Sequence, residues 1–173
     1  MDGAVAGSRW ARMHDALAWL QASALGMFMR DSGPWTYPIV NLIHILGVAS
    51  LFGAVVILDL RLLGVWRRAP LPAITAVAAP VAMAGFGVAA ASGACLLAAN
   101  ALEYENNPFL LVKFSAIGLG LINAVALRRT AAWRAHATRD LSRSEARQLA
   151  LMGGVSLVSW LTAVTAGRMI GYW

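Results

Sequence analysis

The chain has 173 residues, of which 60% are hydrophobic and only 13% carry a charge, and its formal net charge is +6. A soluble domain carries about 25% charged residues, so the composition excludes an ordinary soluble globular domain and indicates a single-domain integral membrane protein. The basic residues cluster beside apolar segments, which indicates membrane orientation and argues against nucleic acid as a partner.

The first predicted element is an amphipathic helix over residues 8–30. Apolar residues recur on one face at helical spacing, namely Met13, Leu17, Leu20, Ala24 and Phe28. This apolar core is too short to cross a bilayer comfortably, so the sequence predicts a helix that lies in the outer membrane interface. A fifth, tilted span is the alternative. The segment Asp31-Ser-Gly-Pro34 then ends the helix.

Four later segments are apolar and long enough to cross a bilayer, which takes about 20 residues. They cover about residues 37–58, 80–99, 108–127 and 149–169, and the alternative for the second is an earlier start with a kink at Pro80. Pro108 fits the first turn of the third segment, and Ser142-x-x-Glu145 is typical of a capping box before the fourth. The sequence therefore predicts an all-α integral membrane four-helix bundle over residues 1–173, with an interfacial N-terminal helix.

The connections between the spans differ in charge. Arginines fill the connections after the first and third spans, whereas the connection between the second and third spans holds Glu103 and Glu105. By the positive-inside rule the arginine-rich connections are cytoplasmic. We therefore expect a multi-pass protein of the bacterial inner membrane with both termini on the periplasmic side.

His44 is the most informative residue because a titratable ring inside a span is costly unless it is paired, liganded or functional. At about 1.5 Å per residue, His44 and Lys113 lie roughly 10 Å and 8 Å below the predicted outer boundary. Asn41 shares a helical stripe with His44, and Arg168 lies where the fourth span reaches the same boundary. We treat His44, Asn41, Lys113 and Arg168 as candidate cofactor-binding residues of an outward-facing polar pocket.

Several interpretations of these residues remain open. His44 could be a neutral ring that bonds Asn41 or a neighbouring carbonyl, Lys113 could reach the interface by snorkelling, and Arg168 could be an anchor. A b-type haem usually takes two axial ligands, and the second could come from His14 on the N-terminal helix or from a methionine such as Met83 or Met169. Histidine and methionine also suit Cu(I), so His44 and His14 are candidate metal ligands. A proton relay through His44 and Lys113 is a further option.

No enzyme signature supports a catalytic assignment. The sequence contains no Walker loop, no Gly-x-Ser-x-Gly and no His-Glu-x-x-His motif, and Cys95 is its single cysteine. Catalytic residues are therefore not assigned, and a non-enzymatic role is expected.

Several motifs resemble a group of small bacterial inner-membrane proteins of unknown function. The most specific is Asp59-Leu-Arg-Leu-Leu-Gly64, and the others are Tyr37-Pro…Asn41…His44-Ile-Leu-Gly47, Asn107-Pro-Phe…Lys113 and Ser156-Leu-x-x-Ser-Trp160…Gly167-Arg168. The resemblance extends over about residues 19–172. The Pro-Phe…Lys113 portion is also similar, more distantly, to copper-resistance D-type proteins and to b-type cytochrome membrane subunits. These likenesses imply a redox or copper setting.

Two functional hypotheses follow. In the first, the protein is a non-enzymatic subunit that packs into or assembles a larger membrane complex, with small-residue faces that bind other subunits or a second copy. In the second, it is an electron-transfer subunit that binds b-type haem or copper at His44.

Overall fold

The computed structural model describes residues 14–173, so Met13 and the start of the predicted 8–30 helix lie outside it. The described chain is helical and contains no strands. Its α-helices are α1 over residues 14–22, α2 Ala24–Asp31, α3 Thr36–Leu62, α4 Leu71–Ala99, α5 Pro108–Arg129, α6 Ala131–Ala135 and α7 Arg143–Met169. Short 3₁₀ helices cover Ala101–Tyr104 and Ile170–Tyr172. Four of these helices (α3, α4, α5 and α7) are long and apolar enough to cross a membrane, which confirms the predicted all-α multi-pass membrane fold.

Several of the long helices extend beyond the ends of the apolar segments predicted from the sequence. Helix α3 continues to Leu62, and α4 begins at Leu71 and passes through Pro80 without a break. Helix α7 begins at Arg143 because Ser142 caps it: the Ser142 hydroxyl accepts from the Glu145 N–H, and the Glu145 carboxylate accepts from the Ser142 N–H. Hydropathy marks the part of a helix that suits lipid, whereas the polar first and last turns depend on caps and packing.

Within the described part of the predicted 8–30 helix, Ser23 breaks the helix into α1 and α2. Ser23 has an extended backbone, and its hydroxyl accepts from the Gly26 N–H at 3.2 Å to cap α2. Gly26 packs where a Cβ atom would clash with the Gln21 carbonyl oxygen and would lie 2.8 Å from that of Ala98. This close approach, together with the buried Met29, docks α2 against the last turn of α4.

The four long helices pack in the order α4, α3, α7, α5. Helix α3 contacts α4 and α7, α5 contacts α7, and the Arg128 side chain on α5 donates to the Met83 sulfur on α4 at 3.2 Å. Two glycines bring α3 and α4 together: a Cβ atom on Gly85 would lie 2.5 Å from the Leu51 amide nitrogen, and one on Gly47 would lie 2.8 Å from that of Ala89. Apolar side chains around Leu51, Val55 and Trp160 fill the middle of the bundle.

The connections define two ends of the bundle. The acidic end carries residues 100–107 with Glu103 and Glu105, the starts of α3 and α5, and the ends of α4 and α7. The arginine-rich end carries the 63–70 connection, α6 and the 136–142 linker. Helices α1 and α2 lie at the acidic end, where the Arg30 side chain donates to the Ala99 carbonyl and the Gln21 side chain accepts from the Leu102 N–H.

Candidate functional site

The His44 ring projects from α3 onto α4. Gly93 makes room for it, because a Cβ atom at Gly93 would lie 3.0 Å from the ring Cε1 atom. The His44 Nδ1 atom lies 2.9 Å from the Ala89 carbonyl oxygen and 3.2 Å from the Ser92 hydroxyl. The structure therefore brings together His44 and a backbone carbonyl, which is one of the partners expected from the sequence.

The hydrogen bonds assign the tautomer of His44. The Ala89 carbonyl can only accept, and the Ser92 hydroxyl already donates to the Val88 carbonyl at 2.5 Å. The proton of a neutral ring is therefore on Nδ1, and Nε2 carries a lone pair. Within residues 14–173, Nε2 has no hydrogen-bond partner. A ring anchored in this way can accept a proton or ligate a metal through Nε2.

Lys113 lies at the same end of the bundle as His44. Its side chain is half-buried and crosses α7 at Gly167, where a Cβ atom would lie 3.7 Å from both Cε and Nζ. The ammonium group has no ion pair or hydrogen bond to the described residues. The structure thus places a cation and a histidine with a free lone pair at the acidic end.

The other predicted site residues make separate contacts. Asn41 is half-buried on α3, and its side chain has no hydrogen-bond partner in the described chain. Arg168 is exposed, donates to the Tyr172 hydroxyl and stacks 4.7 Å from the centre of that ring. His14 is exposed and bonds Glu105 at 2.9 Å, so that carboxylate raises the pKa of His14 above its ordinary value. His14 therefore contacts the acidic connection, whereas His44 contacts α4.

The acidic connection also encloses a tyrosine. Burial and the neighbouring Tyr37 hydroxyl raise the pKa of Tyr104 to about 12. Asn107 caps α5 by accepting from the Phe109 N–H at 3.0 Å, and its amide donates to the Ile170 carbonyl at 3.4 Å. These contacts tie the acidic connection to the C-terminal end of α7. Among residues 14–173 no three histidine, cysteine, aspartate or glutamate side chains lie together as a metal site would require.

Asp59 is the polar residue that the sequence reasoning missed. The first predicted span stopped at Leu58, but α3 continues and buries Asp59 to 3% exposure against α7. Its Oδ2 atom has no hydrogen-bond partner among the described residues. A signal was present, because Asp59 follows Leu51 and Val55 at intervals of four residues and so shares their buried helical face. A second buried polar contact joins α5 to α7, where the Asn123 amide donates to the Met152 carbonyl at 2.9 Å.

Comparisons with known proteins show the family of the chain. No curated protein and no solved structure matches it, so the resemblance to copper-resistance D-type proteins and cytochrome subunits gains no support from them. A family model does match, over residues 16–173. The protein is a multi-pass membrane protein that belongs to the family of unknown function DUF6644.

Proposed function

We propose that this protein is a non-enzymatic subunit of the bacterial inner membrane that packs into a larger complex through the outer face of α4. The observation that carries the proposal is a stripe of exposed small residues on α4, which we call the α4 stripe: Ala84, Gly87, Ala91 and Ala94. A Cβ atom at Gly87 would meet no atom within 4 Å. The stripe lies opposite Gly85 and Ala89, which pack against α3.

Helix α5 has no such stripe on its outer face and exposes large apolar side chains, such as Leu111 at 74% and Ile122 at 69%. On α4 the exposed large side chains Val77 and Met83 lie outside the α4 stripe. Large side chains gain the same contacts from lipid tails as from protein, whereas small residues let two helix backbones approach closely. The contrast supports a lipid-facing role for α5 and a helix-binding role for α4. Small residues of the second span therefore serve two faces, one inside the bundle and one outside it.

We take the partner to be a second copy of this chain. A straight stripe of small residues is complementary to itself about a two-fold axis, and closed two-fold dimers are the commonest oligomers. The charge of the connections supports an orientation in which the arginine-rich end is cytoplasmic and both termini are periplasmic.

The mass of the protein extracted from its membrane in native lipid tests this proposal. We expect a dimer for the unsubstituted protein and a monomer for Gly87→Leu, because four extra carbons hold the two backbones apart. Gly118→Leu on α5 is the matched control, since a Cβ atom at Gly118 also meets nothing within 4 Å, and it should remain a dimer. A monomeric unsubstituted protein, or a dimeric Gly87→Leu protein, would refute the proposal.

A second candidate function is electron transfer through b-type haem or copper at His44. It is favoured by the tautomer of His44, because a ring that donates Nδ1–H to a backbone carbonyl and leaves Nε2 free has the arrangement of a metal-ligating histidine. His44 fits one axial position, while His14 is engaged by Glu105. A bound redox group would supply the electron acceptor, and α3 and α4 would hold the ligating ring.

An optical spectrum and a metal analysis of protein purified from its native membrane test this candidate. Haem would give a Soret band that is absent in His44→Ala and present in His136→Ala, a control at the arginine-rich end. Copper would appear in the metal analysis with the same dependence on His44. A colourless protein without copper would refute the redox function and leave the subunit function untouched.

A further inference from the structure

An open cavity with a volume of about 1110 Å³ lies at the arginine-rich end, and we call it the arginine cavity. It is bounded by the end of α3, the start of α4, the 136–142 linker and the first turns of α7. Five arginines line it, namely Arg61, Arg67, Arg139, Arg143 and Arg147. Ligand sites commonly measure about 300–1,000 Å³, so the arginine cavity has room for a charged group larger than a single phosphate.

The arginine cavity keeps an excess of positive charge. Glu145 neutralises Arg139 through two hydrogen bonds of 2.9 and 2.6 Å, and Asp140 is a further carboxylate in the lining. Arg61, Arg143 and Arg147 form no ion pair with any residue of 14–173. Several guanidinium groups around one concave surface raise the local potential and attract an anion.

Part of the lining is fixed in place before any ligand binds. The Arg61 side chain donates from Nε to the Ala69 carbonyl at 2.8 Å and from Nη2 to the Arg67 carbonyl at 3.4 Å. Since a guanidinium group has five N–H donors, Arg61 retains donors for an anion. Arg143 and Arg147 lie one turn apart at the start of α7, where helical spacing puts them on the same face.

The 63–70 connection also exposes an aromatic side chain at the arginine-rich end. Trp66 is 55% exposed and has a φ angle of 52°, a left-handed backbone that is unfavourable for a bulky residue. The hydrogen bonds of Arg61 to Ala69 and of Arg67 to Gly64 hold this connection in its shape. Exposed tryptophans are typical of the level at which lipid headgroups meet the hydrocarbon.

Membrane orientation alone would place arginines at this end of the bundle but would not gather them around one cavity. The positive-inside rule counts basic residues near the ends of spans, and Arg129 and Arg134 satisfy it equally while lying outside the lining. Guanidinium groups bind phosphate oxygens in pairs of parallel hydrogen bonds, which is the strongest arrangement for such an anion.

We propose that the arginine cavity is a binding site for a phosphate-bearing anion, held by Arg61, Arg143 and Arg147. The site is separate from His44 and from the α4 stripe, and it stands independently of the proposed function. The phosphate belongs either to an anionic phospholipid or to a free soluble anion, and the experiment below distinguishes these sources.

Binding to the full-length protein in uncharged detergent tests the proposal, with cardiolipin, phosphatidylglycerol, phosphatidylcholine and inorganic pyrophosphate as separate probes. We expect saturable binding of at least one anionic probe and no saturable binding of phosphatidylcholine. The double substitution Arg143→Gln with Arg147→Gln should weaken that binding by about 10-fold or more. Arg143→Lys with Arg147→Lys should weaken it less, because the charge remains and the paired hydrogen bonds do not.

The matched control is Arg129→Gln with Arg134→Gln, which removes the same charge from the same end outside the arginine cavity. Its affinity should stay within about 2-fold of the unsubstituted protein. Binding of the phospholipids without pyrophosphate assigns a lipid headgroup, and binding of pyrophosphate with displacement of the phospholipid assigns a soluble anion. An equal loss of affinity in the two double-glutamine variants, or no saturable binding of any anionic probe, would overturn the proposal.

Discussion

The close approach of α3 and α4 predicts opposite effects for two neighbouring glycines. In Gly85→Ala the new Cβ atom would lie 2.5 Å from the Leu51 amide nitrogen and 2.9 Å from the Gly47 carbonyl oxygen. Ordinary contacts are 3.4 Å or longer, so the two backbones must separate by about 1 Å. Both neighbouring atoms belong to backbone and cannot rotate away, and overpacking of this kind costs about 1–3 kcal/mol.

Gly87→Ala is the matched control for Gly85→Ala in dilute mixed micelles, where the protein is monomeric and the α4 stripe has no partner. Its Cβ atom meets nothing within 4 Å, and alanine favours a helix over glycine by about 0.8–1.0 kcal/mol in water. We therefore expect Gly85→Ala to lower the free energy of unfolding and Gly87→Ala to leave it unchanged or raise it slightly. Reversible unfolding in mixed micelles, followed by far-ultraviolet circular dichroism and tryptophan fluorescence, measures both values.

The same substitution should disturb the site. His44 reaches the Ala89 carbonyl from across the α3–α4 contact, so a separation of about 1 Å would break that 2.9 Å hydrogen bond. Nitrogen chemical shifts of the His44 ring would report the change of tautomer in Gly85→Ala and its absence in Gly87→Ala. Equal stabilities for the two alanine variants would refute the close packing of α3 on α4.

Three further predictions concern polar contacts. Asn123→Leu should lower the free energy of unfolding by about 0.5–1.5 kcal/mol because it removes the hydrogen bond to the Met152 carbonyl. Asn41→Leu is the control, because the Asn41 amide has no partner among residues 14–173, and it should lower the free energy of unfolding by less in the same micelle assay. Asp59→Asn should raise thermal stability because it removes a buried negative charge that has no ion pair among residues 14–173, and a clear loss of stability would contradict that burial. Glu105 raises the pKa of His14. The stabilisation that this ion pair gives to the folded N-terminal segment is therefore fully present below the ordinary histidine pKa of 6.5, and it is lost as the pH rises through the raised pKa. Amide hydrogen exchange of residues 14–22 should therefore speed up in alkaline buffer by more than intrinsic base catalysis accounts for. Glu105→Gln should remove this additional acceleration. An unchanged dependence of the exchange rate on pH in Glu105→Gln would contradict the ion pair.

Much of the fold could be predicted because its signals are local in the sequence. Lipid requires long apolar helices, so each span is visible as a run of apolar residues. The Ser142–Glu145 capping box and Pro108 at a helix start are likewise local patterns, and both occupy the expected positions. The break at Ser23 was not predicted, because it depends on the contact of Gly26 with the Ala98 carbonyl, which lies far away in the sequence.

The site could be predicted only in part. His44 was identified because a histidine within an apolar run is conspicuous, but its partner is a backbone carbonyl on α4, and no side chain marks a carbonyl in a sequence. Asp59 was placed outside the first span because its burial depends on α7 packing against α3. The arginine cavity forms only where the 63–70 connection meets the start of α7. In the sequence, the arginines of either segment alone look the same as arginines that set the membrane orientation.

Disulfide crosslinking in the native membrane tests the central claim, that the α4 stripe is the surface through which this protein assembles. In a Cys95→Ala background, a cysteine at Gly87 should form an intermolecular disulfide on mild oxidation, since such a bond requires Cα atoms within about 7 Å of each other. A cysteine at Gly118 on α5 is the control and should remain reduced. Rapid crosslinking at position 87 with none at position 118 is the predicted result. Absence of crosslinking at 87, or equal crosslinking at both positions, would contradict it.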